Sequence, residues 1–120
     1  MLFNLHKLVI YLVISISLSS CTTIPTPSQR LIEAKNSANV HNWKAIILKS
    51  AAFDLTAFVP ATIIQKPLLT LYIEGDGLAW LNKSTASPDP TPINPIGLYL
   101  ALKHNTGNTA YLARPCQFNH

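Results

Sequence analysis

The sequence predicts an α/β fold: an antiparallel β-hairpin, then a β-α-β unit with parallel strands, preceded by a signal-peptide helix. Three observations carry this. Two short apolar runs rich in β-formers, residues 44–50 and 53–59, lie a few residues apart, which suits a hairpin. A third run, residues 68–73, is nearly continuous in apolar residues and breaks into Glu74-Gly75-Asp76-Gly77. Such a run suits a strand buried on both faces of a parallel sheet. A mostly apolar helical stretch then separates it from a fourth β-rich run, residues 109–113. A strand–helix–strand crossover implies parallel pairing of the third and fourth strands.

The chain has 120 residues, 48% of them hydrophobic. That is enough for one small domain with a core, and it excludes disorder throughout. Nine Lys and Arg against five Asp and Glu give +4. The charges are scattered, so no clustered footprint for nucleic acid exists.

At the N-terminus His6 and Lys7 precede an apolar run, residues 8–18 (LVIYLVISISL). A membrane span needs about 20 apolar residues, so the run is too short for one and fits the core of a signal peptide. Leu18-Ser19-Ser20-Cys21 follows and looks like a bacterial lipobox. The resemblance implies cleavage before Cys21, lipidation of Cys21 and a membrane partner reached through that anchor. It places the protein in the bacterial cell envelope, on the periplasmic face. Thr22 rather than Asp after the cysteine slightly favours the outer membrane. Ordinary secretory cleavage, or an uncleaved anchor, is the alternative. The expected organisation is a signal peptide over 1–20, a lipid-anchored linker over 21–42 and a domain over 43–120.

Residues 22–28 (TTIPTPS) read as an extended tether, and residues 29–38 as a short helical turn with Leu31, Ile32 and Ala34 on its apolar side. Pro60 ends the second strand because it offers no ladder donor. Residues 78–92 form a long loop containing Trp80 and three prolines. Pro95 suits the first position of a helix capped by Asn94, reaching to His104. Gly107 is the expected left-handed residue after it, and Pro115 stops the fourth strand.

Several residues are candidates for chemistry. Two glycines one residue apart let backbone N–H groups approach a ligand closely, so Gly75, Asp76, Gly77 and Leu78 form a candidate anion-receiving loop. A turn with no ligand is the plainer reading of the same residues. Glu74 and Asp76 are a candidate carboxylate pair, or one solvated and one capping carboxylate. None of His6, His41, His104 and His120 has a partner at metal-ligand spacing, so no metal and no cofactor is implied. Cys116 is a free thiol or one half of a disulfide. Trp80 and Phe118 line a pocket or belong to the core.

Together, YIEGDGLAW (72–80), DPTPINP (89–95) and YLARPCQF (111–118) resemble the N-terminal part of a group of bacterial α/β-hydrolase-like lipoproteins. The resemblance implies a partial α/β-hydrolase sheet in which residues 75–78 supply backbone donors for an oxyanion. It also implies ester or related acyl-bond hydrolysis in a full-length relative, with a small acyl or ester compound as ligand. The reaction needs a nucleophile on a G-x-S-x-G elbow, followed by an acid and a His. None of Gly75, Gly77, Gly97 and Gly107 flanks a Ser in that spacing, and His120 falls before the expected elbow. The chain by itself is therefore expected to be inactive. The rival expectation is a small, non-enzymatic envelope lipoprotein that docks an unknown protein partner through an apolar face.

Overall fold

A computed structural model describes residues 23–64 and 66–119. The expected signal peptide and the candidate lipidation site Cys21 lie outside the described residues. In chain order the elements are α1 (Pro27–Val40), β1 (Trp43–Lys49), β2 (Asp54–Pro60), β3 (Leu69–Ile73), α2 (Ile96–Lys103) and β4 (Asn108–Leu112). The strands form one four-stranded sheet in the order β1-β2-β4-β3. β1 and β2 make the expected antiparallel hairpin, β4 runs antiparallel to β2, and β3 and β4 are parallel. The mixed α/β architecture read from the sequence is thus present.

α1 is longer than the expected turn and begins inside the expected tether. Thr26-Pro27-Ser28-Gln29 explains its start. The Thr26 hydroxyl accepts from the Gln29 amide at 3.2 Å, the Gln29 side chain accepts from the Thr26 amide at 2.8 Å, and Pro27 occupies the first turn. Two otherwise orphaned amides are satisfied at once, and proline fixes a helical φ where no donor is needed. The helix ends at His41, followed by Asn42 with φ 59°. Leu31, Ala34 and Ala38 belong to the main core cluster. Residues 27–40, expected within a linker, are therefore part of the folded domain.

The core lies on one face of the sheet. Ala45, Phe58, Tyr111 and Tyr72 stand in one cross-strand row. Phe58, Tyr111 and Phe118 are fully buried, with Phe58 meeting Tyr111 at 5.8 Å and Phe118 edge-on at 6.0 Å between ring centroids. α1 packs against β1 at one side of this face, and α2 against β3 and β4 at the other. Leu98, Ala101 and Leu102 are the residues α2 contributes to the core.

The opposite face differs from expectation. Its central row is Ile46, Ala57, Leu112 and Ile73. Leu48, Leu69, Leu71 and Ile73 on this face are exposed. β3, read from its apolar run as buried on both faces, alternates instead between exposed Leu69, Leu71 and Ile73 and half-buried Thr70 and Tyr72. Both helices pack on the other face, and β3 is an edge strand, so its run of apolar residues exceeds what the described residues cover.

Candidate functional site

Because β3 and β4 are parallel, their carboxyl ends lie side by side. In open α/β sheets this is where loops diverge and leave room for a ligand. Three stretches far apart in sequence meet there: 74–78 after β3, 89–92 before α2 and 114–118 after β4. Gln117, fully buried, is the clamp. Its Nε2 donates to the carbonyls of Gly75 at 3.0 Å and Pro90 at 3.3 Å, and its Oε1 accepts from the Arg114 amide at 3.0 Å. The Leu78 amide donates to the Pro90 carbonyl at 3.1 Å. The Phe118 amide donates to Thr91 Oγ1 at 2.8 Å, and Thr56 Oγ1 on β2 donates to the Phe118 carbonyl at 3.1 Å.

α1 secures this cluster from the far side. The Arg30 guanidinium is buried, lies 3.5 Å from Asp89 Oδ1 and donates to the Thr91 carbonyl. Asp89 in turn accepts from the Thr91 amide at 2.8 Å. A buried charge pair contributes little net stability, but removing one member leaves the charge of the other less well compensated. Residues 89–92 are thereby held by α1 and by the segment after β4, which Thr56 on β2 fastens in turn.

The backbone is conformationally specialised at this point. Gly77 has φ 60°, and a Cβ there would overlap the Pro90 carbonyl oxygen and approach Gln117 Nε2 to 2.9 Å. Only glycine fits both constraints. Cys116 and Phe118 are also left-handed, at φ 69° and 57°. Such conformations cost about 1–2 kcal/mol per non-glycine residue and persist where neighbouring bonds over-determine them, as those of Gln117 and Phe118 do.

The four candidate loop residues do not behave alike. The Gly75 amide donates to Glu74 Oε1 at 3.0 Å and the Leu78 amide to Pro90. Both are already committed. Among the described residues, the Asp76 and Gly77 amides donate to no protein acceptor. All four residues lie in a turn outside strand and helix.

Glu74 and Asp76 do not form a carboxylate pair. Glu74 is buried, its Oε2 accepting from the Tyr111 hydroxyl at 3.0 Å and its Oε1 from the Gly97 amide at 3.3 Å. That amide lies in the first turn of α2, where a negative charge is favourable. Glu74 thus does the work expected of Asn94: the observed N-cap is Pro95, with no side-chain cap bond. Gly97 leaves room for it, since a Cβ there would sit 3.3 Å from both carboxylate oxygens. Burial first, then the Glu74 charge and its hydrogen bond, push the Tyr111 hydroxyl pKa far above its ordinary range. Asp76 turns outward and pairs with the Arg114 guanidinium, both being substantially exposed. The Arg114 guanidinium thereby offsets the Asp76 charge beside the candidate loop.

Cys116 is exposed and carries a free thiol. Phe118 is core, whereas Trp80 is 61% exposed and lines no core. His104 hydrogen-bonds Tyr72 through Nδ1 at 3.0 Å and Thr106 through Nε2 at 3.2 Å, fastening the end of α2 to β3. A cavity of about 400 Å³, lined by residues including Val59, Ile63, Ile64, Leu69 and Ala110, lies at the other end of β3 and β4.

Arg30, Arg114, Thr91 and Gln117 are the site residues that sequence reasoning missed. Arg30 was read as part of a helical turn, but no local signal marked its side chain as the partner of Asp89 and Thr91. No local signal marked Gln117 as a clamp. No family model, no curated protein and no solved structure matches the chain.

Proposed function

We propose that residues 43–120, braced by α1, are the opening half of an α/β-hydrolase-like domain. In this reading the Asp76 and Gly77 amides receive the negative charge of a tetrahedral acyl intermediate. The supporting observation is the meeting of the three motif stretches at the carboxyl ends of β3 and β4, with those two amides uncommitted. A fixed donor of this kind contributes about 2.7–4 kcal/mol to the transition state of acyl transfer. Neutralisation of Asp76 by Arg114 removes the main electrostatic objection. The residues present do not supply a nucleophile, so the half-site receives charge without generating it.

The test uses a compound carrying the charge and shape of the intermediate. Titrating the isotope-labelled full chain with an alkyl phosphonate should shift the amide resonances of Asp76 and Gly77 and leave Gly107 unmoved. Equal shifts at Gly107, or none at Asp76 and Gly77, would end the reading.

The envelope anchor is a separate part of the proposal, resting on the Leu18-Ser19-Ser20-Cys21 sequence. Radiolabelled palmitate should enter the wild-type chain and not Cys21→Ser, and equal labelling would remove the anchor.

The exposed apolar sheet face, with Leu48, Leu71 and Ile73, favours a second reading in which the protein is a non-enzymatic binding lipoprotein. That reading predicts no phosphonate response at the loop.

A further inference from the structure

We infer that Gln117 is the positioning residue of the candidate anion loop: by holding the Gly75 carbonyl inward, it turns the Asp76 N–H outward, toward where a ligand's charge would sit. That an anion is what the N–H receives rests on the acyl-intermediate reading above; the orienting role does not. The Gly75 carbonyl and the Asp76 N–H belong to one peptide unit, and that unit is trans. Such a unit is planar, so its C=O and N–H point in opposite directions. Gln117, 1% exposed, donates through Nε2 to the Gly75 carbonyl at 3.0 Å. The carbonyl therefore faces the interior and the Asp76 N–H faces away from it. This explains why that amide finds no protein acceptor among the described residues.

The orientation of the Gln117 amide is itself decided by its partners. Its Nε2 carries two N–H groups. The Gly75 and Pro90 carbonyls take both, whereas its Oε1 accepts from the Arg114 amide at 3.0 Å. A flipped amide would set oxygen against two carbonyl oxygens and nitrogen against an N–H. The loop is also held on either side of the uncommitted amides. The Gly75 N–H donates to Glu74 Oε1 at 3.0 Å, and the Leu78 N–H donates at 3.1 Å to the same Pro90 carbonyl that Gln117 grips. One side chain thus aims the Asp76 N–H and fixes the backbone of Arg114, whose guanidinium meets the Asp76 carboxylate. A donor held in place before the ligand arrives needs no reorganisation, which is what makes such groups effective toward developing charge.

In the isotope-labelled full chain the Asp76 N–H should be rigid, with an order parameter near about 0.85. Gln117→Met keeps the length of the side chain and loses its hydrogen bonds; there the order parameter should fall below about 0.6. Leu102→Val, a core change in the last turn of α2, should leave it as in wild type. Alkyl phosphonate should bind Gln117→Met at least about tenfold more weakly than wild type, and Leu102→Val within about twofold of it. A folded Gln117→Met that keeps the Asp76 N–H rigid, or that binds the phosphonate as tightly as wild type, overturns the inference. A wild-type order parameter below about 0.6 overturns it as well. If Gln117→Met does not fold, the wild type decides. The side-chain amide protons of Gln117 should exchange at least about tenfold more slowly than those of exposed Gln29, and equal exchange overturns the inference. A wild type whose Asp76 and Gly77 amides ignore the phosphonate removes the acyl-intermediate reading alone, and the order parameters then decide the role of Gln117.

Discussion

Tyr111 shows how one side chain couples the site to the core. It is fully buried between Phe58 and α2 and donates to Glu74, the carboxylate that caps α2. Its pKa is raised from the ordinary 10.0, by burial first and by Glu74 second. The consequence for stability has a definite sign. Below pH 10 the hydroxyl is protonated in both folded and unfolded chains, and its contribution is constant. Above pH 10 the unfolded chain releases a proton that the folded one keeps, so stability falls by about 1.4 kcal/mol per pH unit for one such group. Urea midpoints measured between pH 7 and 11 should therefore decline above pH 10. Tyr111→Phe should reduce that decline and lower stability at pH 7 by about 1–3 kcal/mol, because Glu74 loses a buried donor. Tyr99, raised mainly by burial and further by Glu33, adds a contribution of the same sign.

At the scale of elements, α1 shows which signals were legible. Its start is written in four consecutive residues, a capping box with proline at the first turn. Its role is not, because Arg30 reaches Asp89 and Thr91 some sixty residues away in the chain. The two contributions should separate by size. Thr26→Ala removes one exposed cap and should cost about 1 kcal/mol. Arg30→Ala removes a buried guanidinium that serves both Asp89 and the Thr91 carbonyl, and should cost more than the cap. Chemical denaturation of both variants checks the ranking. Similar reasoning explains α2. The sequence offered Asn94 as a cap, but a buried carboxylate at the end of β3 reached the first turn instead, and no local pattern records that approach.

At the scale of the molecule, the described residues cover one face of the sheet and leave Leu48, Leu69, Leu71 and Ile73 exposed on the other. Substitutions should divide accordingly. Phe58→Ala, at the centre of the covered face, should cost about 3–5 kcal/mol. Ile73→Thr, exposed on the bare face, should change the isolated protomer's stability by no more than about 0.5 kcal/mol. Unfolding midpoints measured at low protein concentration separate the two. A comparable loss at Ile73 would mean that the bare face is covered in solution.

The sequence by itself determined the hairpin, the parallel β-α-β unit and the left-handed glycine after α2, since each follows from local periodicity or from a residue that alone tolerates its backbone conformation. It also showed that none of Gly75, Gly77, Gly97 and Gly107 flanks a Ser in G-x-S-x-G spacing. Only the tertiary structure decided that Glu74 turns inward and Asp76 outward, that Gln117 and Thr91 tie three loops together, and that the apolar run of β3 stays half exposed. The physical reason is range. Turn and helix preferences act over a few residues, whereas a buried hydrogen bond or ion pair selects its partner by proximity in the folded chain, which short-range sequence patterns do not encode.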